Sequence, residues 1–305
     1  MTSHDAPPYR GRFAPSPTGP LHFGSIVAAM GSYLQARSLR GEWLVRIEDI
    51  DPPREMPGAA DAILYSLERL GLEWDGAVVY QSHRSEAYLA AIDTLCRNGR
   101  LYACRCSRKD LIARHPPDAP PFVYDGHCRR IKPDPTHPAV LRLITEGTPV
   151  TFDDRVRGPV VQSLATEVGD FIIRRTGGLF AYQLAVVIDD AAQGITEIVR
   201  GADLLDNTPR QIYLQALLGL PTPHYAHLPV AVNPQGQKLS KQTGAASIDH
   251  LRPQQLIIQA LEFLGQQPPA ELVDTTLDEL WRWAIASWRL DRVPRDDRGA
   301  PAIDK

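Results

Sequence analysis

The chain has 305 residues, 43% of them hydrophobic and 23% charged, a balance that excludes a fibre or a disordered polyelectrolyte and suits about two domains. Lys and Arg number 33 against 36 Asp and Glu, so a formal charge of −3 excludes blanket adhesion to nucleic acid but allows a local basic face. No stretch approaches the roughly 18 apolar residues of a membrane span and Met1 to Arg10 has no apolar signal run, so a cytoplasmic protein without membrane contact is expected.

Gly11 to Ala14 predicts a short strand, after which Pro15-Ser-Pro-Thr-Gly-Pro20 breaks regular structure. Ile26, Val27, Met30, Tyr33 and Leu34 recur at helical spacing, with Gly41 placed for a left-handed cap. Trp43 to Ile47 is rich in strand formers, which completes a parallel βαβ order. Helices are predicted from Pro57 to Leu70 and from Ser85, as N-cap, to Asn98, with a strand at Ala77 to Tyr80 between them.

From Cys104 to about Asp170 prolines accumulate, at Pro116, Pro117, Pro120, Pro121, Pro133, Pro135 and Pro138, and mark an inserted module. Strand and helix alternation resumes from Phe171 to Val187, through Ile195 to Arg200, and in a helix at Thr208 to Leu218, as though the first domain were re-entered. Beyond a lysine-bearing loop at Lys238 to Lys241 the chain reads as helical to about Trp288, with Leu256, Ile257, Ala260, Leu261 and Leu264 on one face. Asp291 to Lys305 reads as a frayed polar end. The expected divisions are 1–103, a catalytic half; 104–169, the insertion; 170–245, the second half with the lysine loop; and 246–305, a short helical segment.

Three places carry chemistry. His22, Gly24 and Ser25 open a helix after a strand, where N–H groups and the helix dipole favour a phosphate and glycine permits close approach. Lys238-Leu-Ser-Lys-Gln242 sits in a glycine-bounded loop suited to neutralising a triphosphate as pyrophosphate leaves. Cys104-Arg-Cys106 with Tyr124-Asp-Gly-His-Cys128 suggests one structural zinc ion per chain, for which His127 is the usual fourth ligand by spacing alone.

Taken together and in this order, the His22 and Lys238 segments resemble the paired signatures of class I aminoacyl-tRNA synthetases. Arg12-Phe-Ala-Pro-Ser-Pro-Thr-Gly-Pro-Leu-His22, Arg46-Ile-Glu-Asp-Ile-Asp51, Asp170-Phe-Ile-Ile-Arg-Arg175 and Ile198-Val-Arg-Gly-Ala-Asp203 resemble the glutamyl-specific branch. The resemblance implies an α/β fold, a Rossmann-type doubly wound parallel sheet with an inserted zinc-bearing α+β module and a short helical C-terminal part. It implies an L-glutamate site at Arg12, Phe13, Ala14, Pro15, Ser16, Glu48, Tyr182 and Arg200, with Glu48 receiving the α-ammonium and an arginine fork the side-chain carboxylate. ATP with Mg²⁺ falls to His22, Gly24, Ser25, Ser240 and Lys241, and His22, Lys238 and Lys241 become the groups acting on the phosphates. For the zinc it points to Tyr124 in place of His127.

Ser25 and Gln242 depart from the usual signature endings while the groups the chemistry uses are kept. About 60 residues follow the lysine loop, too few for the helical domains with which ordinary glutamyl enzymes read an anticodon. The cysteine-bearing insertion and short tail resemble a subfamily whose membership implies glutamyl-adenylate formation without tRNA, then transfer to queuosine in the anticodon of tRNA(Asp). A truncated enzyme charging a tRNA 3′ end and a non-catalytic RNA-binding paralogue are the alternatives. Arg105, Arg108, Lys109, Arg129, Arg130 and Lys132 are candidates to face the RNA, and a monomer is expected.

Overall fold

The computed structural model describes residues 8–114, 123–132, 139–233, 235–238 and 251–301. In chain order the elements are β1 (Arg10–Phe13), α1 (Phe23–Ser38), β2 (Glu42–Ile47), α2 (Ala59–Arg69), β3 (Val79–Tyr80), α3 (Ser85–Arg97) and β4 (Leu101–Cys104). The middle of the chain supplies α4 (Arg108–Arg114), α5 (His127–Ile131), β5 (Val140–Leu143), β6 (Val150–Asp154), β7 (Gly158–Gln162), α6 (Leu164–Glu167) and β8 (Phe171–Arg174). Then follow α7 (Tyr182–Ala192), β9 (Glu197–Gly201), α8 (Thr208–Leu218), β10 (His224–Leu228), β11 (Ala231–Val232), α9 (Pro253–Phe263), α10 (Leu277–Ser287) and β12 (Arg298–Gly299).

Parallel strands carry the catalytic half. β1 pairs with β2 and β2 with β3, while β9 pairs with β10 and β10 with β6, all parallel. These two sheets abut along β1 and β9, where the Thr196 N–H donates to the Arg10 carbonyl at 2.9 Å. From β1 the chain crosses over α1 to β2 on one side, and from β9 over α8 to β10 on the other, so the crossover direction reverses between β1 and β9. In α/β sheets such a reversal opens a crevice at the carboxyl ends of the strands.

A second, antiparallel sheet has the order β4-β5-β8. The strand predicted at Phe171 exists, yet it pairs with β5 in this sheet and does not rejoin the parallel one. Periodicity predicts that a strand forms, not which edge it meets. β6 and β7 form a hairpin whose first strand meets β10 at Asp154 and Tyr225.

Three local expectations change. Ser85 is the first residue of α3 and Arg84 its N-cap, because Gln81–Arg84 already turns as a 3-10 helix. α1 ends through Arg40, whose φ is 54°, and Gly41 serves a close approach instead: a Cβ there would lie 2.5 Å from the Tyr9 carbonyl oxygen. The polar end is paired through Ala300, since β12 joins β11, the Ala300 N–H donates to the Val232 carbonyl at 2.9 Å and Arg298 donates to the Phe263 carbonyl at 2.8 Å.

The C-terminal helices α9 and α10 pack on α1, the helix that starts at His22. Phe23 meets Phe263 edge to face at 5.5 Å, Trp288 Nε1 donates to Gln35 Oε1 at 2.8 Å, and Trp281 Nε1 to the Leu70 carbonyl at 2.8 Å. Ile26, Met30, Leu34, Leu256, Ile257, Leu261 and Leu280 are fully or almost fully buried in this one core. Burial of each such side chain stabilises by about 1.5–3 kcal/mol, so the short tail fixes α1 without approaching the cavity described next.

Candidate active site

A cavity of about 640 Å³ opens at the β1/β9 reversal, lined by Arg12 to Ser16 leaving β1, by Val199 to Gly201 at the end of β9, and by the first turn of α1. Pro15 and Pro17 hold the chain out of regular structure, and the Glu48 N–H donates to the Pro15 carbonyl at 2.9 Å, which ties the end of β2 to the loop after β1. The cavity has a deep end and an open end.

At the deep end arginine predominates. Arg12 is 3% exposed and grips Asp190 with two bonds, Nε to Oδ1 at 3.1 Å and Nη2 to Oδ2 at 3.3 Å. Arg46, fully buried, reaches the same Asp190 at 2.8 Å and Glu48 at 3.5 Å. Burial works against ionising Asp190, but Arg12 and Arg46 outweigh it and hold the carboxyl below its usual range. For Glu48 burial wins over the arginines, and its pKa rises from 4.5 to about 7. The buried Glu48 Oε1 makes no hydrogen bond to the described residues, and the Arg46 guanidinium faces it at 3.5 Å.

Arg200, 5% exposed, is held differently. Its Nε donates to His227 Nε2 at 3.1 Å, Nη1 to the Tyr182 hydroxyl at 3.2 Å, and Nη2 to Thr208 Oγ1 at 2.8 Å and Gln211 Oε1 at 2.7 Å. Burial raises the Tyr182 phenol and lowers the His227 imidazole to about 4, so both are neutral near pH 7. A buried guanidinium with neutral partners only is a strong recruiter of a carboxylate.

At the open end His22 caps α1, its Nδ1 accepting the Ser25 N–H at 3.3 Å. Gly24 sits beside that ring: a Cβ there would lie 3.3 Å from His22 Cε1. The first turn of this 16-residue helix lines the cavity through Gly24 and Ser25, and the positive end of its dipole favours an anion there. Across from it, Lys238 Nζ pairs with Asp203 Oδ2 at 2.5 Å on the cavity lining. Ser240 and Lys241 lie outside the described residues.

Thus Arg12, Phe13, Ala14, Pro15, Ser16, His22, Gly24, Ser25, Tyr182, Arg200 and Lys238 line one cavity, whereas Glu48 is not on its lining and is linked to it only by way of Arg46 and Asp190 to Arg12. Sequence reasoning missed Asp190, His227, Asp154 and Gln211. Arg46 had a signal, since it opens the block that contains Glu48; a histidine inside the buried run of β10 reads only as core.

Apart from this cavity, Cys104, Cys106 and Cys128 place three Sγ atoms within 4.8 Å of one another. The Tyr124 hydroxyl lies 3.3 Å from Cys104 Sγ and 3.8 Å from Cys106 Sγ, whereas His127 does not join the group. Three thiols and a phenol converging between β4 and α5 are a donor set suited to a tetrahedral zinc ion. No helix among the described residues is long and apolar enough to cross a membrane.

Comparison with known proteins follows the same lines. The model of the family described as tRNA synthetases class I (E and Q), catalytic domain, matches residues 9–274. The chain is similar to a glutamyl-Q tRNA(Asp) synthetase of Dechloromonas aromatica, 54% identical over 290 residues that cover 94% of this chain and 96% of the relative. One from Pseudomonas aeruginosa is 53% identical over 290 residues, with coverage of 94% and 96%. Among solved structures, glutamate-tRNA synthetase from Elizabethkingia anophelis matches with a TM-score of 0.80 at 26% identity, over 96% of this chain and 68% of that one.

Proposed function

The chain belongs to the class I tRNA synthetases of the glutamate and glutamine type, and from that premise we propose that it activates L-glutamate with ATP in the absence of tRNA and transfers it to queuosine in the anticodon of tRNA(Asp). It is a ligase, and ligation of glutamate to tRNA is the coarser activity its family and relatives share. The observation that carries the amino-acid part is Arg200, a buried cation on the wall of the cavity held by five neutral groups, the Leu204 carbonyl at 3.5 Å among them. A substrate side-chain carboxylate supplies the missing charge, while glutamine, being neutral, does not.

In this reading Arg200 and Tyr182 orient the side-chain carboxylate, and Arg12 with Phe13 to Ser16 forms the floor. Glu48, once ionised, takes the α-ammonium. The α-carboxylate then attacks the α-phosphorus of ATP, the bond to the β-phosphate oxygen breaks, and pyrophosphate leaves. Positioning and charge stabilisation suffice, with no protein nucleophile. His22, Gly24 and Ser25 receive phosphates at the α1 N-terminus, and Lys238, Ser240 and Lys241 act from the other side. Mg²⁺ carried by ATP would offset phosphate charge. Zinc held by Cys104, Cys106, Cys128 and Tyr124 would staple the insertion as a platform for RNA, remote from the chemistry.

Support for the tRNA target comes from the relatives' names and from their length, which this chain matches at 96%. The deciding experiment supplies labelled glutamate, ATP and Mg²⁺ with tRNA from cells that make queuosine and from cells that cannot. Label confined to queuosine-containing tRNA is expected. Equal labelling of both would identify a 3′-end synthetase, and no labelling with no glutamate-dependent ATP–pyrophosphate exchange a non-catalytic paralogue.

A further inference from the structure

We propose that His227 is a positioning residue for glutamate recognition: with its Nδ1 proton held by Asp154, it offers a neutral acceptor at Nε2 that aims the Arg200 guanidinium into the cavity without cancelling its charge. The inference rests on the reading of Arg200 as the receptor of the substrate side-chain carboxylate.

The tautomer follows from geometry. Arg200 Nε always bears a proton, and it lies 3.1 Å from His227 Nε2, so that ring nitrogen must accept. The ring proton then sits on Nδ1, which is 2.5 Å from Asp154 Oδ2. Asp154 is itself fixed: its Oδ1 accepts the N–H groups of Val156 at 3.1 Å, Arg157 at 2.9 Å and His227 at 3.1 Å, so the β6–β7 turn clamps the carboxylate. Tyr225, two residues earlier on β10, lies parallel to the imidazole, with ring centroids 6.1 Å apart and an interplanar angle of 8°. Both partners, His227 and Asp154, have fully buried side chains.

A carboxylate in place of His227 would orient Arg200 equally well, but it would neutralise it and remove the reason to prefer glutamate over glutamine. The opposite side of Arg200 obeys the same rule. Gln211 Oε1 accepts from Arg200, which turns Gln211 Nε2 toward Gln183 Oε1 at 3.0 Å, and Gln183 Nε2 in turn donates to Asn207 Oδ1. Two chains of neutral groups therefore converge on one buried cation, and only the histidine chain ends in a charge, one ring away.

The test is tRNA-independent ATP–pyrophosphate exchange by the full chain, with KM for glutamate, KM for ATP and kcat measured for the unaltered protein, His227→Leu and His227→Gln, each checked by thermal denaturation. Gln carries an amide oxygen near the position of Nε2, so it keeps an acceptor for Arg200. The expected result for His227→Leu is a glutamate KM raised at least about tenfold with ATP KM within about twofold, and substantial recovery in His227→Gln. Asp154→Asn provides a second route should His227→Leu not fold: it releases the Nδ1 proton constraint and should also raise glutamate KM selectively. Unaltered glutamate KM in a folded variant, or equal changes in both KM values, would overturn the inference while the activity stands. No glutamate-dependent exchange by the unaltered chain would instead overturn the activity reading, and this inference with it.

Discussion

At the deep end of the cavity every charged side chain arrives already held. Arg12 is clamped on Asp190 and Arg200 is set by five neutral acceptors, with both arginines about 95% buried or more. At the open end the groups are more exposed: Lys238 has half of its side-chain surface accessible, and His22 stands at a helix terminus. The contrast matches what the proposed function asks of each end. A small amino acid is selected by a preorganised charge that costs no reorganisation, whereas ATP brings several charges of its own and pyrophosphate must depart. On that reading buried pairing gives selectivity, and an exposed cation such as Lys238 allows exchange.

The difference predicts how each end fails. Arg200→Ala should have the largest effect, lowering kcat/KM for glutamate in the exchange reaction by about 10²- to 10³-fold, because a substrate carboxylate would then be buried among neutral groups with no cation to pair with. Retention of activity within a few-fold would break the assignment of this end to the side-chain carboxylate. Lys241→Ala should lower kcat by about 10²-fold while glutamate KM stays nearly constant, the pattern of a group that acts mainly in the transition state. A rise in glutamate KM alone would show that the two ends are not separable in this way.

Glu48 sharpens the comparison through pH. Its folded pKa, about 7 against 4.5 in a solvated chain, means that the ligand-free protein binds more protons than the unfolded chain between those values. Stability of the ligand-free chain should therefore fall as pH rises from about 4.5 to about 7, as the buried carboxyl is forced to ionise. Glutamate binding runs the other way, since the α-ammonium needs the carboxylate. Its KM should climb about tenfold per unit as pH drops below about 7, and Glu48→Gln should flatten that profile at a high KM. A glutamate KM independent of pH from 5 to 8 in the unaltered protein would remove Glu48 from that role.

How much of this was legible beforehand depends on whether a residue acts through its neighbours in sequence or in space. Arg12 and Arg200 stand near strand ends and His22 at a helix start, each inside a recognisable block, so they could be picked out as candidates from local order. Asp154 and His227 are 73 positions apart and meet only because β6 lies beside β10 in one particular register. No periodicity encodes that pairing. The strand expected at Phe171 formed, but its place was hidden in the same way: alternation predicts its existence, whereas its antiparallel partner β5 is chosen by tertiary packing. Gly41 shows the converse, a glycine whose reason is the Tyr9 carbonyl across from it and not the helix it follows.

The thiol cluster offers the smallest expected effect on activation and thereby tests whether the molecule is functionally divided. Cys104, Cys106, Cys128 and Tyr124 share no residue with the cavity lining, and Tyr124 is braced instead by the Arg142 guanidinium 3.8 Å above its ring. Removal of one ligand should abolish tight zinc binding and loosen β4 and α5, yet adenylate formation should change less than about threefold, since effects at sites without shared partners are close to independent. Cys104→Ser should therefore lower zinc from about one per chain to near zero by elemental analysis, with glutamate-dependent exchange almost intact and transfer to tRNA reduced. If exchange collapsed together with transfer while the variant stayed folded, the insertion would have to be reaching into the activation step, and the separation between an RNA platform and a chemical cavity would be lost.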